Sequence, residues 1–159
     1  MNLIHTDYYG DVSYTDEDLI FFPDGLFGFP DLRRYLPLYL NENDDSIILF
    51  QSVEEGLIVF AALNPVYLFP DYSPTLTAEE LAALDVSDSG ELSYFVLCSV
   101  KDDYRENTVN LKAPLAINPM THQGIQVILE NSDYGFHCAL PENITGQTSQ
   151  EKQLSLIHI

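Results

Sequence analysis

Apolar and polar residues alternate most clearly in two neighbouring stretches, residues 108–113 and 124–130. In each stretch apolar side chains recur on one face at a period of two, which is typical of a half-buried strand. Ile128 is the apolar residue that falls on the opposite, polar face. Between them, Asn118 and Pro119 begin a turn that closes near Gly124, because proline presets φ and glycine tolerates positive φ. The pattern therefore predicts a hairpin lying on a core.

Short strand signals separated by turn residues recur along the rest of the chain. They lie at residues 3–6, 12–14, 19–22, 36–40, 47–50, 57–63 and 91–100. The run 57–63 is apolar without alternation, as expected of a strand covered on both faces. Thr77 and Glu80 have capping-box spacing ahead of Leu81 and Leu84, which predicts a short helix. The sequence predicts an all-β fold, a compact antiparallel β-barrel or sandwich with one short helix in a loop insertion.

Three local patterns carry more specific expectations. Residues 31–35 can form one helical turn capped by Asp31, and residues 41–45 form an acidic loop. The aromatic loop that contains Phe27 and Phe29 plugs one end of the barrel, or else forms an exposed docking patch. The plug is favoured because large aromatic side chains are usually buried.

The length and the hydrophobic content of 46% suit one folded domain, which we place at residues 1–140. Residues 141–159 are polar and are expected to be disordered. The last six residues, from Leu154, have no periodic partner and look foreign to the protein.

The charge balance limits the partners. Six Lys and Arg against 25 Asp and Glu give a formal net charge of −19, which disfavours direct nucleic-acid binding and favours basic protein partners. Alternatively, the acidity serves only solubility. No signal peptide and no long apolar run is present, and the two cysteines form no CxxC pattern. We therefore expect a cytoplasmic protein that does not contact membranes.

No pattern of residues identifies an enzyme. The four histidines are scattered without metal-ligand spacing, and no phosphate-binding loop or GxSxG motif occurs. Cys98 lies in a predicted strand and Cys138 in an unanchored tail, which disfavours a Cys–His nucleophile. We therefore expect no metal, no cofactor and no catalysis. The alternative is a small β-barrel enzyme or ligand-binding protein with a pocket near Phe27, Phe29 and Tyr72.

Five segments together resemble the bacterial flagellar assembly factor FliW family. They are residues 22–29 (FPDGLFGF), 51–52 (QS), 69–72 (FPDY), 108–118 (TVNLKAPLAIN) and 124–134 (GIQVILENSDY). Each segment alone is weak, but five in family order are specific. Two positions depart from the family pattern: Phe27 replaces a proline or small residue, and His122 replaces a basic residue.

The resemblance implies a partner switch. Proteins of this family bind flagellin and also CsrA, an RNA-binding translational repressor. Scarce flagellin leaves the factor free to hold CsrA, so that flagellin mRNA is translated. The positions that match the family loops, or lie on the polar strand face, are the expected partner-binding residues: Phe69, Asp71, Tyr72, Asn110, Lys112, Glu130, Asn131, Asp133 and Tyr134. The aromatic members equally suit an internal lid, and composition favours the lid.

Overall fold

The computed structural model describes residues 2–6, 9–41, 44–99, 106–130 and 132–140. These ranges contain eleven β-strands and one α-helix, α1 (Ala78–Ala83). The strands are β1 (Asn2–Thr6), β2 (Gly10–Tyr14), β3 (Ile20–Phe21), β4 (Arg34–Asn41), β5 (Asp44–Ser52), β6 (Val59–Leu63), β7 (Ser93–Ser99), β8 (Thr108–Val109), β9 (Leu115–Asn118), β10 (Gln123–Gln126) and β11 (Cys138–Ala139). The predicted all-β class with one short helix is confirmed.

Seven of the described strands close into a barrel in the order β7–β6–β5–β4–β3–β10–β9, with β9 returning to β7. Closure is possible because β7 changes partner along its length. Its first half, Ser93–Phe95, pairs with β9, whereas Cys98 and Ser99 pair with β8 outside the ring. The pairing of β3 with β10 is parallel, and the other pairings in the ring are antiparallel. A closed ring leaves few free strand edges.

Side chains alternate between the two faces of each barrel strand, and those on the inner face fill the interior of the barrel. Its largest fully buried side chains are Phe22, Tyr35 and Phe50, and Phe22 and Tyr35 meet edge to face. The interior cluster consists of Ile20, Phe22, Leu26, Tyr35, Ile48, Phe50, Ala62, Phe95, Leu115 and Ile117. Side chains of the opposite parity, such as Leu49, point outward and are also buried. Residues 47–50, predicted as a strand, therefore lie in β5 and are buried on both of its faces.

The outer wall of the barrel is covered by other segments. The outer cluster consists of Ile47, Leu49, Val59, Ala61, Leu63, Val96, Val109 and Leu111, and residues 68–72 and 134–140 pack over it. The hairpin formed by β1 and β2 covers a different part of the wall through Ile4, which packs with Leu19 and Leu36. Both faces of the sheet are thus shielded from water, as the apolar runs require.

Several local predictions are wrong at their boundaries. Residues 31–35 form no helical turn: Arg34 and Tyr35 begin β4, because the Tyr35 ring is buried in the barrel interior. The acidic loop is shorter than predicted, since Asn41 already pairs with Asp44, and residues 42–43 lie outside the described residues. Leu57 is exposed and precedes β6, because Ile58 N donates to Glu55 O at 3.0 Å and closes a turn.

The stretch 108–113 is buried as predicted but is not one strand. Only Thr108–Val109 pairs as a strand, and the chain then bends because Asn110 Oδ1 accepts a 2.9 Å hydrogen bond from Ala113 N. The predicted hairpin is β9–β10, and Leu129 N continues it by donating to Lys112 O at 2.8 Å. Cys138 lies in β11 opposite Val109, so its assignment to an unanchored tail is wrong.

The two rings of the aromatic loop, Phe27 and Phe29, lie in different environments. Phe29 is half-buried and packs edge to face on Phe60, with ring centroids 5.2 Å apart. Phe27 is exposed, so the prediction that it plugs the barrel end is wrong. The Phe27 backbone is instead held by Gln126, whose Oε1 accepts a 2.8 Å bond from Phe27 N.

Candidate protein-binding site

Residues 69–77, here called the strap, cross the outer wall of the barrel between a short 3₁₀-helix, Pro65–Tyr67, and α1. The strap begins with two turns, in which Phe69 N donates to Pro65 O at 2.7 Å and Tyr72 N donates to Phe69 O at 2.9 Å. This geometry directs the side chains of Phe69 and Tyr72 against the outer cluster and leaves Asp71 exposed.

Two tyrosines fasten the strap. The rings of Tyr72 and Tyr134 meet edge to face with centroids 4.7 Å apart. Tyr72 Oη donates to Leu111 O at 2.7 Å, and Tyr134 Oη accepts from Ser73 N at 3.1 Å. Burial, with a smaller effect from neighbouring Tyr134, raises the pKa of Tyr72. The phenol therefore stays protonated and keeps its role as a donor.

Lys112 holds the segment that contains Tyr134. Its Nζ donates to Ser132 O at 2.8 Å, and its backbone N donates to Gly135 O at 3.0 Å. Because Lys112 is half-buried and its carbonyl also accepts from Leu129 N, it holds Leu129, Ser132 and Gly135 against the barrel. Its role in the structure is to position this loop.

Exposed carboxylates border a groove beside the tyrosine pair. The groove has a volume of about 450 Å³ and is here called the acidic groove. Its lining comprises Ser73, Thr75, Thr77, Glu80, Ile128, Leu129, Glu130, Ser132, Asp133 and Tyr134. Ile128 is 43% exposed, so the groove offers an apolar surface between Glu130, Asp133 and Glu80. Such a surface suits the docking of a protein segment that is both apolar and basic.

One side of the groove is fixed by the helix α1. Glu80 Oε1 accepts from Thr77 N at 2.8 Å, and Thr77 Oγ1 accepts from Glu80 N at 3.2 Å, which confirms the predicted capping box. The cap holds Glu80 at the first turn of the helix. Neither Glu80 nor Ile128 was among the residues predicted from the sequence to bind a partner. The capping box and the polar-face position of Ile128 are the two signals that pointed to their placement.

The structure places the predicted partner-binding residues in two groups. Five are half-buried and position the strap and its neighbouring loop: Phe69, Tyr72, Asn110, Lys112 and Tyr134. Three are exposed: Asp71, Glu130 and Asp133. Glu130 and Asp133 line the acidic groove, whereas Asp71 lies on the strap outside its lining. Asn131 lies outside the described residues. The aromatic rings thus take the inward position expected of a lid.

The pocket proposed near Phe27, Phe29 and Tyr72 is not formed. Tyr72 packs on the outer cluster, whereas Phe29 contacts Phe60 at the edge of the interior cluster. A second groove that Tyr72 lines includes neither Phe27 nor Phe29. The barrel wall separates the two aromatic groups, so they do not converge on one ligand.

Two further features concern chemistry. Burial raises the pKa of the Cys98 thiol to about 12, so the nucleophilic thiolate is scarce near neutral pH. In the part of the chain that the structure describes, no three His, Cys, Asp or Glu side chains group as metal ligands. Over the same residues, no helix is long and apolar enough to cross a membrane.

Comparison with known proteins identifies close relatives along almost the full length. The family model described as "FliW protein" matches residues 3–140. Flagellar assembly factor FliW of Ruminiclostridium cellulolyticum is 35% identical over 133 residues, covering 83% of this chain and 89% of the relative. The Alkaliphilus metalliredigens protein of the same name is 31% identical over 156 residues, covering 96% and 94%. A crystal structure of the flagellar assembly factor FliW superposes with a TM-score of 0.81 at 30% identity, covering 90% of this chain and all of that one.

Proposed function

The chain belongs to the FliW family of flagellar assembly factors, and from this premise we propose that it is a cytoplasmic, non-enzymatic binding protein. Its two partners are flagellin and the translational repressor CsrA, which it holds in alternation. When flagellin is scarce, the protein binds CsrA and relieves repression of flagellin mRNA. When flagellin accumulates, it occupies the protein and CsrA is released. We assign this activity to a single domain of residues 1–140.

The acidic groove is the observation on which the proposed partner-binding site rests. It combines an accessible apolar side chain, Ile128, with exposed carboxylates at Glu130 and Asp133. Apolar contact supplies most of the affinity in a protein interface, and complementary charge supplies specificity and fast association. With a formal net charge of −19, the whole protein also attracts a basic partner before contact.

The half-buried residues act by holding the carboxylates in place. Tyr72 and Tyr134 fix the strap that carries Asp71, and Lys112 fixes the loop that carries Asp133. Phe69 and Asn110 stabilise the two turns from which these segments start. Asn131 is kept among the proposed binding residues because it belongs to the family-matching segment 124–134 in the sequence. Rigid placement lowers the entropy cost of binding.

Antagonism of CsrA follows from the same charge. RNA affinity depends on Lys and Arg that displace counterions from phosphate. A strongly acidic protein bound near such a basic surface lowers its attraction for RNA through the electric field, without touching the RNA. Because salt screens this field beyond about 10 Å at 0.1 M, the loss of RNA affinity should shrink as salt is added. An unchanged loss at high salt would remove field repulsion as the mechanism.

A charge-reversal experiment tests the site. The double variant Asp71→Lys/Asp133→Lys should weaken binding of purified flagellin or CsrA, measured by calorimetry, by about tenfold or more. The matched control is Asp24→Lys/Asp31→Lys, which makes the same charge change at two exposed positions beside the aromatic loop. Both variants should melt within about 2 °C of the parent, because exposed substitutions rarely change stability by more than ~0.5 kcal/mol.

The control separates local contact from net charge. Equal weakening in both variants would mean that overall charge, and not this groove, attracts the partner. Unchanged affinity of both partners for the Asp71/Asp133 variant would remove these residues from the interface. Failure of the parent protein to bind either partner would overturn the proposed function itself.

A further inference from the structure

One side of the barrel is incomplete because β3 has only two residues. Ile20 pairs with Tyr35 and Phe21 with Arg34, and among the residues that the structure describes no other strand pairs with the rest of β4 on that side. This part includes Pro37 and Tyr39, which share the inward parity of Tyr35. The Tyr39 carbonyl accepts a 2.7 Å hydrogen bond from Tyr9 Oη. Pro37 has no N–H to offer an incoming strand, which blunts this edge against strand addition. The gap therefore gives access to the barrel interior and does not favour the addition of a further strand to the sheet.

An apolar cavity of about 220 Å³ lies in this gap and is here called the end slot. Its floor belongs to the interior cluster: Ile20, Ile48, Phe50, Phe95 and Ile117. Its rim comprises Pro37, Tyr39, Ser93, Pro119 and His122. A dry apolar cavity of ~150 Å³ in another protein binds benzene, so the end slot has room for one aromatic ring.

Two wider grooves continue the end slot on either side. The first, of about 560 Å³, shares Ser93 and Phe95 with the slot. The second, of about 540 Å³, shares His122. These shared lining residues place the three depressions next to one another, and together they are here called the channel. The first depression also shares Ser73 and Thr75 with the acidic groove. The floor of the slot is apolar, whereas charged side chains are found among the residues that line the two arms.

Large apolar side chains stand exposed along the channel. Met120 is 89% exposed, Val66 58% and Tyr39 50%, and each lines one of the three depressions. Exposed apolar residues are ordinary when single, but a contiguous set around a cavity marks a protein contact. An anchor side chain buried in a central pocket and surrounded by such residues is the usual arrangement of an interface hot spot.

The arms carry negative charge. Asp88 lines the first arm, and Asp16 and Glu17 line the second. Arg34 also lines the second arm, but its Nε lies 3.9 Å from a Glu54 carboxylate oxygen, which offsets its charge. His122 Nδ1 is 2.9 Å from Glu17 O and is already engaged. The charge along the channel therefore favours a basic occupant on both sides of an apolar centre.

We propose that this channel is a second docking surface for a basic protein segment that inserts one aromatic side chain into the end slot, which shares no lining residue with the acidic groove. The slot's apolar floor selects an apolar ring, and the acidic arms select flanking Lys or Arg. Burying an apolar side chain as large as that of phenylalanine strongly favours binding. The anchor should therefore contribute roughly ten- to hundredfold in affinity.

Methyl NMR on isoleucine-labelled protein tests this directly. The probe is the peptide acetyl-Lys-Lys-Phe-Lys-Lys-amide, and the matched control replaces Phe by Ala. The Phe peptide should shift the methyls of Ile20, Ile48 and Ile117, whereas Ile47, on the outer face of β5, stays unchanged. The Ala peptide should bind at least about tenfold more weakly. Equal affinity of the two peptides, or shifts centred away from the slot, would overturn the proposal.

Three variants test where the Phe peptide binds, so the result does not depend on a single substitution that could unfold the protein. Ser93→Leu should fill the slot entrance and abolish the Ile117 shift, and Asp16→Lys/Glu17→Lys should weaken the Phe peptide at unchanged stability. The Asp71→Lys/Asp133→Lys variant should bind the Phe peptide as the parent does. Loss of peptide binding in that variant would place the peptide in the acidic groove and refute the second surface, whatever the fate of the proposed function.

Discussion

Replacing Tyr72 by Phe tests whether the strap is fastened as described. The substitution removes one hydroxyl and keeps the ring that packs 4.7 Å from Tyr134. The lost interaction is the 2.7 Å hydrogen bond to Leu111 O. Because Leu111 is only 5% exposed, its carbonyl has little access to water as a replacement partner.

The size of the effect follows from that burial. A hydrogen bond contributes a net ~0.5–1.5 kcal/mol, but an acceptor left buried and unpaired costs about 1–3 kcal/mol. We therefore expect Tyr72→Phe to lower the free energy of unfolding by about 2 kcal/mol. For a domain of this size, that corresponds to a fall in melting temperature of roughly 4–8 °C.

Tyr134→Phe is the matched control, since it makes the same chemical change on the neighbouring ring. Tyr134 Oη accepts from Ser73 N, and Ser73 is exposed, so water can replace the lost partner. Its cost should be no more than about 1 kcal/mol. Urea unfolding of both variants, followed by circular dichroism, compares them. Equal losses, or a larger loss for Tyr134→Phe, would refute the assignment of Tyr72 as the main fastening.

Four further substitutions test three other features. Gly25 and Gly28 both have positive φ, but a Cβ on Gly25 would lie 2.7 Å from Pro30 Cα while one on Gly28 meets nothing. Gly25→Ala should therefore lose about 2–5 kcal/mol and Gly28→Ala about 1–2, and equal melting curves would contradict this. Thr77→Ala removes the N-cap of α1 and should lower the free energy of unfolding, measured in urea, by about 1 kcal/mol. No loss would mean that the capping box does not stabilise the helix. Burial raises the Cys98 pKa from 9.0 to about 12. The stability that the neutral thiol contributes to the folded protein is therefore fully present below pH 9 and is lost between pH 9 and 12. Cys98→Val should therefore flatten the alkaline loss of stability by up to ~1.4 kcal/mol per pH unit, and an unchanged slope would contradict that origin.

Alternation predicted which side chains are buried better than it predicted strands. Val109, Leu111 and Ala113 are buried as the period of two requires, although the chain bends after Val109. Burial depends on side-chain parity, whereas strand pairing also depends on local bonds such as the one that Asn110 makes. The same competition explains Tyr35, where burial of a large ring overrides the capping preference of Asp31.

The candidate site was predictable only in part, because its members come together through the fold. The tyrosines and acids of residues 69–72 and 130–134 stood out as matching segments, and the structure brings the rings together. Glu80 and Ile128 are 48 positions apart and carry no joint signal, so only the closed barrel reveals that they face one groove. Similarly, no sequence pattern shows that a two-residue β3 leaves the end slot open.

The most direct measurement is a competition between the two proposed partners. The purified protein is saturated with CsrA, flagellin is titrated in, and the complexes are separated by size-exclusion chromatography with light scattering. We expect flagellin to displace CsrA into a separate peak, and the released CsrA to regain its affinity for flagellin mRNA. A stable complex containing all three proteins, or a protein that retains neither partner, would contradict the proposed alternation.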